Sequence, residues 1–143
     1  MAKTTTYAKI AGTTLTTEIY EPSVEYNRSV DEAIRLCQYI YKYYESKKTK
    51  SMEAYFGCFH SKIEANGWII PTNCYNKYGD KIYYMWNGNT ICFFSFEGCG
   101  IIFRIYDATK SKKLVDGNYG FVYNCEEFNE VLQKYNLGKC YKI

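Results

Sequence analysis

The chain has 143 residues, of which 47% are hydrophobic and 23% are charged. This length is typical of one domain, and the composition excludes a disordered or low-complexity protein. The net charge of +3 is well short of the basic surface of a dedicated nucleic-acid-binding protein. No apolar run reaches the roughly 20 residues of a membrane span, and the N-terminus lacks a secretory signal. We therefore expect a cytoplasmic protein, folded as one domain over 1–143, with no membrane partner.

Two elements are predicted in the first third of the chain. The threonine-rich segments 4–10 and 13–20 flank Ala11-Gly12 and indicate a β-hairpin, because β-branched residues favour strands. Ser29 and Glu32 then form a capping box, which predicts the start of a helix. The apolar stripe of this helix is too broad for a simple amphipathic pattern and indicates burial on two sides.

A second helix is predicted from about Ser51 to Asn66. Its apolar residues recur at helical spacing, and Asn66-Gly67 supplies a left-handed stop. Gly57 inside this segment costs roughly 1 kcal/mol relative to alanine, so either another backbone packs closely there or the helix breaks.

The middle of the chain changes to strand periodicity. A short strand, 68–70, is expected to end at Pro71, and a hairpin is expected over 81–96 with Asn87-Gly88 as a two-residue turn. That turn pairs Trp86 with Asn89, Tyr84 with Ile91 and Ile82 with Phe93 on one face, and Met85 with Thr90 and Tyr83 with Cys92 on the other. Both faces are apolar, so either helices cover both sides of the sheet or one face is an interaction surface.

The C-terminal part predicts a strand over 101–106, a polar basic loop over 107–113, and a strand over 119–123. Asn124 is expected to cap a last helix, with Glu127 at its third position and Gly138 at its end. The predicted fold class is α+β: a single antiparallel sheet of about five to seven strands, with an N-terminal hairpin and a C-terminal meander, packed with about three helices.

One short segment resembles a known family. Tyr119-Gly120-Phe121-Val122 is similar to the aromatic core of the central strand of the RNA-recognition motif, and the helix after it has the matching position. The resemblance implies bases stacked on exposed rings of the sheet. The chain departs from the motif at Gly117, Asn118 and Asn124, and the hairpin over 81–96 interrupts the order of its elements, so no family is assigned.

Catalytic and metal-binding signatures are weak. His60 is the one histidine, and Cys58 lies on a different side of a helix from it, although the two would share a face on a strand. Neither a phosphate-binding glycine loop nor a CxxC pair occurs, and the seven cysteines are expected to be free and mostly buried. We therefore predict no enzyme, no metal and no cofactor.

The abundance of aromatic residues is the main basis for predicting the function. Seventeen tyrosines are too many to be buried with every hydroxyl bonded, so some should face a partner. We expect a non-catalytic protein-binding module, of the kind a phage or mobile element carries to inhibit a host protein such as a defence component. The alternative is a nucleic-acid- or nucleotide-binding protein, with a small hydrolase less favoured and a homodimer as a further option. The candidate contacts are Tyr83, Tyr84, Trp86, Arg104, Tyr106, Lys110, Lys112, Lys113 and Tyr119.

Overall fold

The computed structural model describes residues 6–9, 16–20, 30–56, 59–75, 79–97, 100–115 and 119–143. Two α-helices occur in this part of the chain, α1 (Val30–Tyr43) and α2 (Cys125–Lys134), and a single 3-10 turn, Glu45–Lys47, follows α1. The strands are β1 (Thr6–Lys9), β2 (Thr16–Tyr20), β3 (Thr49–Phe56), β4 (Phe59–Tyr75), β5 (Lys81–Trp86), β6 (Thr90–Glu97), β7 (Gly100–Asp107), β8 (Lys112–Lys113), β9 (Gly120–Val122) and β10 (Gly138–Lys142). None of the described helices is long and apolar enough to span a membrane.

The main sheet is antiparallel and has eight strands in the described part of the chain. Its order is β10-β4-β5-β6-β7-β8, while β3 pairs with β4 and β9 pairs with β7. Ile63 of β4 lies opposite both Met52 and Cys140, and Ile69 lies opposite both Thr49 and Met85. Strand β3 therefore takes one edge of β4, and β10 and β5 share the other. Cα atoms of β3 also come within 8 Å of those of β6, so the sheet curls.

The two helices cover opposite faces of this sheet. Helix α1 packs its broad apolar stripe on one face and forms the α1-side core with Ile70, Ile82, Tyr84, Ile91, Phe93 and Tyr106. Helix α2 packs on the other face and forms the α2-side core, in which Phe128 and Leu132 meet Ile63, Ile69, Met85, Cys92, Phe94, Ile101, Phe103 and Ile105. The apolar character of both hairpin faces is thus explained by burial within the chain.

The predicted fold class is wrong in its counts and its arrangement. The main sheet has eight strands rather than five to seven, and the described residues contain two helices rather than three. The N-terminal hairpin exists, because β1 and β2 pair antiparallel, but it forms a separate two-stranded sheet. Strand β10, which the sequence analysis did not predict, completes the main sheet beside β4.

The second predicted helix, over 51–66, is a β-hairpin. Phe56 of β3 pairs with Phe59 of β4, and Gly57, the residue that weakened the helical pattern, lies outside the described residues. Strand β4 then continues through Asn66-Gly67 and past Pro71 to Tyr75. Gly67 is not a helix stop: a Cβ there would collide with the carbonyl oxygen of Trp86, so glycine allows β4 and β5 to approach.

The hairpin of β5 and β6 forms, but its register differs by two residues from the prediction. Trp86 pairs with Ile91 and Tyr84 with Phe93, which keeps the predicted faces. Asn87 donates its amide to Thr90 O at 3.3 Å, so the two-residue loop is Gly88-Asn89. Gly88 has a φ of 99°, as the first loop position of a type II′ turn requires.

The helix starts were predicted correctly where they can be checked. Helix α1 begins at Val30, although Ser29 lies outside the described residues. Asn124 caps α2 by accepting the amide of Glu127 at 2.9 Å, and the Glu127 carboxylate accepts the amide of Tyr123 at 2.7 Å. Helix α2 ends earlier than predicted, at Lys134, because Asn136 takes the left-handed conformation with φ 55°.

Strand β3 is an edge strand whose outer side pairs with no described strand. The Thr49 hydroxyl donates to Ser51 O at 3.0 Å and accepts the Ser51 amide at 3.4 Å. Ala54 O instead faces β4, where it accepts the Ser61 hydroxyl at 3.4 Å. The backbone groups of Ser51 are thus bonded within the chain, and Lys50 and Glu53 place charges along the same edge.

Candidate functional site

Three of the predicted contact residues lie inside the protein. Tyr84 and Tyr106 belong to the α1-side core, and Arg104 is only 8% exposed with its guanidinium 5.3 Å from the centre of the Phe93 ring. Burial raises the pKa of Tyr84 well above its usual range. These three side chains are buried in the interior and expose little surface that a partner could contact.

Two further predicted contacts, Tyr83 and Trp86, are half-buried. Tyr83 stacks on Phe94 with the ring centres 5.5 Å apart, and Trp86 meets Tyr41 edge-to-face at 4.2 Å. The indole Nε1 of Trp86 is buried and has no hydrogen-bond partner among the described residues. Trp86 packs against the edge of the α1-side core, and Tyr83 packs against the edge of the α2-side core.

The remaining four predicted residues lie along the outer edge of β7, in and beside the strands that pair with it. Strands β8 and β9 share this edge, because Tyr106 pairs with Lys113 and Phe103 pairs with Gly120. Tyr119 and Tyr123 there are 46% and 64% exposed, and the three lysines are exposed as well. We define the β7 edge surface as Lys110, Lys112, Lys113, Tyr119, Phe121 and Tyr123.

Sequence reasoning missed Tyr123 and Phe121, although alternation along β9 could have found them. Val122 is buried in the α2-side core, so its two neighbours in sequence must point the other way. The rings of Phe121 and Tyr123 touch edge-to-face with their centres 4.9 Å apart. The Tyr123 amide is held by Glu127. These contacts keep the aromatic part of the surface in one arrangement.

The lysine-rich loop is also fixed by local hydrogen bonds. One carboxylate oxygen of Asp107 accepts the Thr109 amide at 2.9 Å, the Thr109 hydroxyl at 2.6 Å and the Lys110 amide at 3.2 Å. The Thr109 hydroxyl bond is the main cause of a lowered pKa at Asp107, and the backbone amides and Lys110 add to it. Ser111 then turns the chain with a φ of 48°.

This geometry predicts a loop that loosens in acid. Because the pKa of Asp107 is lower in the folded chain, its stabilising effect is complete above the ordinary value of 3.8 and is lost as the pH falls through the lower, folded pKa. NMR shifts of the Thr109 and Lys110 amides should therefore titrate with a midpoint below 3.8. Asp107→Asn should abolish that titration, and a wild-type midpoint at or above 3.8 would contradict the assignment.

His60 is placed on a strand rather than a helix. Its Nε2 lies 3.0 Å from Glu53 Oε2 across the β3–β4 hairpin, and both side chains are at least partly exposed. Cys58 lies outside the described residues, so its relation to His60 is not described. The described part of the chain holds no group of three or more histidine, cysteine or acidic side chains that could bind a metal ion. His60 is thus a cross-strand partner of Glu53.

The four cysteines that the structure describes are buried and are not disulfide-bonded, as predicted: Cys37, Cys92, Cys125 and Cys140. Burial raises the pKa of Cys140 to about 12 and that of Cys92 further still. The thiols of Cys92 and Cys140 are therefore protonated and behave as small apolar side chains.

No protein-family model, curated protein or solved structure matches the chain. The resemblance to the RNA-recognition motif also loses its structural basis, because β9 is a three-residue edge strand rather than a central one. Function is therefore inferred from the geometry of this chain alone.

Proposed function

We propose that the chain is a non-catalytic protein-binding module and that the β7 edge surface is its contact surface. The observation that carries the proposal is the exposure of Tyr119 and Tyr123 along the same edge of β7 that carries three exposed lysines. Most other aromatic side chains of the sheet that the structure describes are packed in or against the two cores. Exposed rings held in place lose little entropy on binding, and such residues dominate interface energies.

The chemistry of this surface indicates the kind of partner. Tyrosine rings offer apolar area with a polar hydroxyl, and Lys110, Lys112 and Lys113 supply positive charge farther along the same edge. A partner patch with an apolar centre and acidic rim is complementary, and the opposite charges would speed the encounter. Inhibition of a host protein by a phage or mobile-element product stays a prediction about the biological setting of this contact.

The proposal is tested by removing the two exposed rings. Affinity capture with the wild-type chain, followed by mass spectrometry, identifies retained proteins, and the Kd of each is then measured for Tyr119→Ala/Tyr123→Ala. We expect a loss of at least tenfold in affinity, because truncating anchor rings costs about 1–2 kcal/mol or more each. Tyr39→Ala/Tyr141→Ala is the matched control, since both of these rings are 39% exposed elsewhere, and it should bind as the wild type does.

Equal losses in the two double variants would show that the effect is not specific to the β7 edge surface. Retention of a protein whose Kd is unchanged by the Tyr119→Ala/Tyr123→Ala substitutions would also contradict the proposal.

A second candidate function uses the same residues. Rings beside lysines are also how proteins hold single-stranded nucleic acid, with bases stacked on the rings and phosphates near the lysines. Fluorescence anisotropy with a single-stranded oligonucleotide distinguishes the two. Binding that weakens steeply with salt and is lost in Lys112→Glu/Lys113→Glu would favour nucleic acid, since phosphate contacts release counterions. We expect no such binding at physiological salt.

A further inference from the structure

A concave feature that shares no residue with the β7 edge surface lies where β3, β4 and β10 meet the turn after α2. It has a volume of about 660 Å³, within the range of small-ligand sites. We define the polar cleft by the six lining residues that matter for its chemistry: Lys50, Ser51, Glu64, Asn66, Asn136 and Lys139.

The floor of the polar cleft is held by asparagines from three elements. Asn66 Nδ2 donates to both the backbone oxygen and Oδ1 of Asn136, each at 3.0 Å. Asn87 Nδ2 donates to the same backbone oxygen at 2.8 Å and to Tyr135 O at 3.2 Å. Asn136 is thereby kept in its left-handed conformation. A site on such a network is formed before any ligand arrives, which lowers the entropic cost of binding.

The lining of the polar cleft is net positive and rich in donors. Lys139 Nζ lies 3.6 Å from Glu64 Oε1, so the one lining carboxylate among the described residues already has a counterion. The ammonium group of Lys50 lies 5.1 Å from the centre of the Trp68 ring and has no carboxylate partner among the described residues. The Ser51 hydroxyl and the Asn136 Nδ2 group likewise donate to no described residue. Four donors therefore converge with one carboxylate that is already paired.

We propose that the polar cleft binds an anionic group, a carboxylate or a phosphate. Lys50 and Lys139 supply the charge, and Ser51 and Asn136 supply neutral donors, a set that forms charge-assisted hydrogen bonds with anionic oxygens. The anion can be carried by an acidic peptide segment or by a free phosphate compound, and both present the same oxygens. This site is independent of the proposed function, because it shares no residue with the β7 edge surface.

The test is an NMR titration of the isotope-labelled full chain with four separate probes. These are sodium phosphate, adenosine monophosphate, a capped tetraglutamate peptide and, as the uncharged control, a capped tetraglutamine peptide. We expect amide shift changes centred on Ser51, Asn66, Asn136 and Gly138 with at least one anionic probe and none with the control. A tenfold preference for the peptide or for a phosphate compound identifies the source of the anion.

Variants then assign the contacts. Lys50→Gln/Lys139→Gln should raise the Kd of the preferred probe at least tenfold. Lys42 is an exposed lysine on α1, and Lys42→Gln should leave that Kd unchanged. Glu64→Gln should strengthen binding, because it removes the one carboxylate of the lining. Asn136→Gly keeps the left-handed backbone without strain and removes one donor, so it should weaken binding in a folded chain.

Three results would overturn the proposal. They are no shift at these amides up to tens of millimolar of every anionic probe, an equal response to the tetraglutamine peptide, or an unchanged Kd in Lys50→Gln/Lys139→Gln with the folded spectrum retained.

Discussion

Phe128→Ala is expected to lower the free energy of unfolding by about 3–5 kcal/mol, the range for truncating a fully buried phenylalanine. The Phe128 side chain is completely buried at the centre of the α2-side core. Its ring centre lies 5.5 Å from that of Phe94 and 6.0 Å from that of Phe103, so α2 packs on the sheet through this residue. Urea denaturation followed by circular dichroism measures the change.

Tyr123→Ala is the control for Phe128→Ala, because it removes a ring of the same class from the surface a few residues before. Its cost should stay within about 0.5 kcal/mol, as for other exposed positions. A cost below about 1 kcal/mol for Phe128→Ala would mean that α2 does not cover this face. The face of β5 and β6 that carries Met85 would then be exposed and could bind a partner. The β7 edge surface would no longer be the best candidate for the contact surface.

Gly138→Ala is expected to cost about 3 kcal/mol, since two separate effects act at this position. The residue has a φ of 150°, a conformation that side-chain-bearing residues rarely adopt, and a Cβ there would collide with the carbonyl oxygen of Glu64. The substitution must therefore either strain the backbone or push β10 away from β4. Thermal and urea unfolding report the loss directly.

Gly88→Ala separates those two effects. Gly88 also has a positive φ, 99°, but a Cβ there meets nothing within 4 Å. Gly88→Ala should therefore lower the free energy of unfolding only by the cost of the unfavourable backbone conformation, about 1 kcal/mol. Equal costs at the two glycines would show that β10 and β4 do not approach as closely as the structure places them.

Local signals in the sequence predicted the helices whose ends they mark. The Asn124 side chain and the Glu127 carboxylate act within four residues of each other, so α2 could be placed without knowing its neighbours. The prediction of a helix over 51–66 was wrong because the spacing of its aromatic residues fits a helix as well as a strand. Its choice of structure depends on Ile63 pairing with Cys140, which is distant in sequence. Tertiary pairing overrides local propensity in such cases.

The hairpin register illustrates the same limit. The Asn-Gly rule places both residues in the turn, but Asn87 has other bonds that keep it at the strand end. Its Oδ1 accepts the amides of Asn89 and Thr90 at 2.9 and 2.7 Å, while its Nδ2 holds the turn before β10. Gly88 therefore becomes the first loop residue. A contact with a turn 48 residues away cannot be read from the hairpin sequence.

The candidate sites were predictable to different degrees. The lysines of the β7 edge surface and Tyr119 were found because a polar loop and a short strand end are normally exposed. Tyr84, Tyr106 and Arg104 were misplaced, since a hairpin with two apolar faces does not show which rings a helix covers. The polar cleft was missed entirely, because its residues come from β3, β4 and β10 and share no local pattern.

The edge of β3 has a consequence for how the chain behaves at high concentration. A strand edge that offers a continuous row of free amides and carbonyls is a template for pairing with another chain. The Thr49 hydroxyl interrupts that row at Ser51, and charges at Lys50 and Glu53 oppose close approach of another edge. The Thr49 hydroxyl and these two charges therefore disfavour pairing of the β3 edge with the edge of a second copy of the chain.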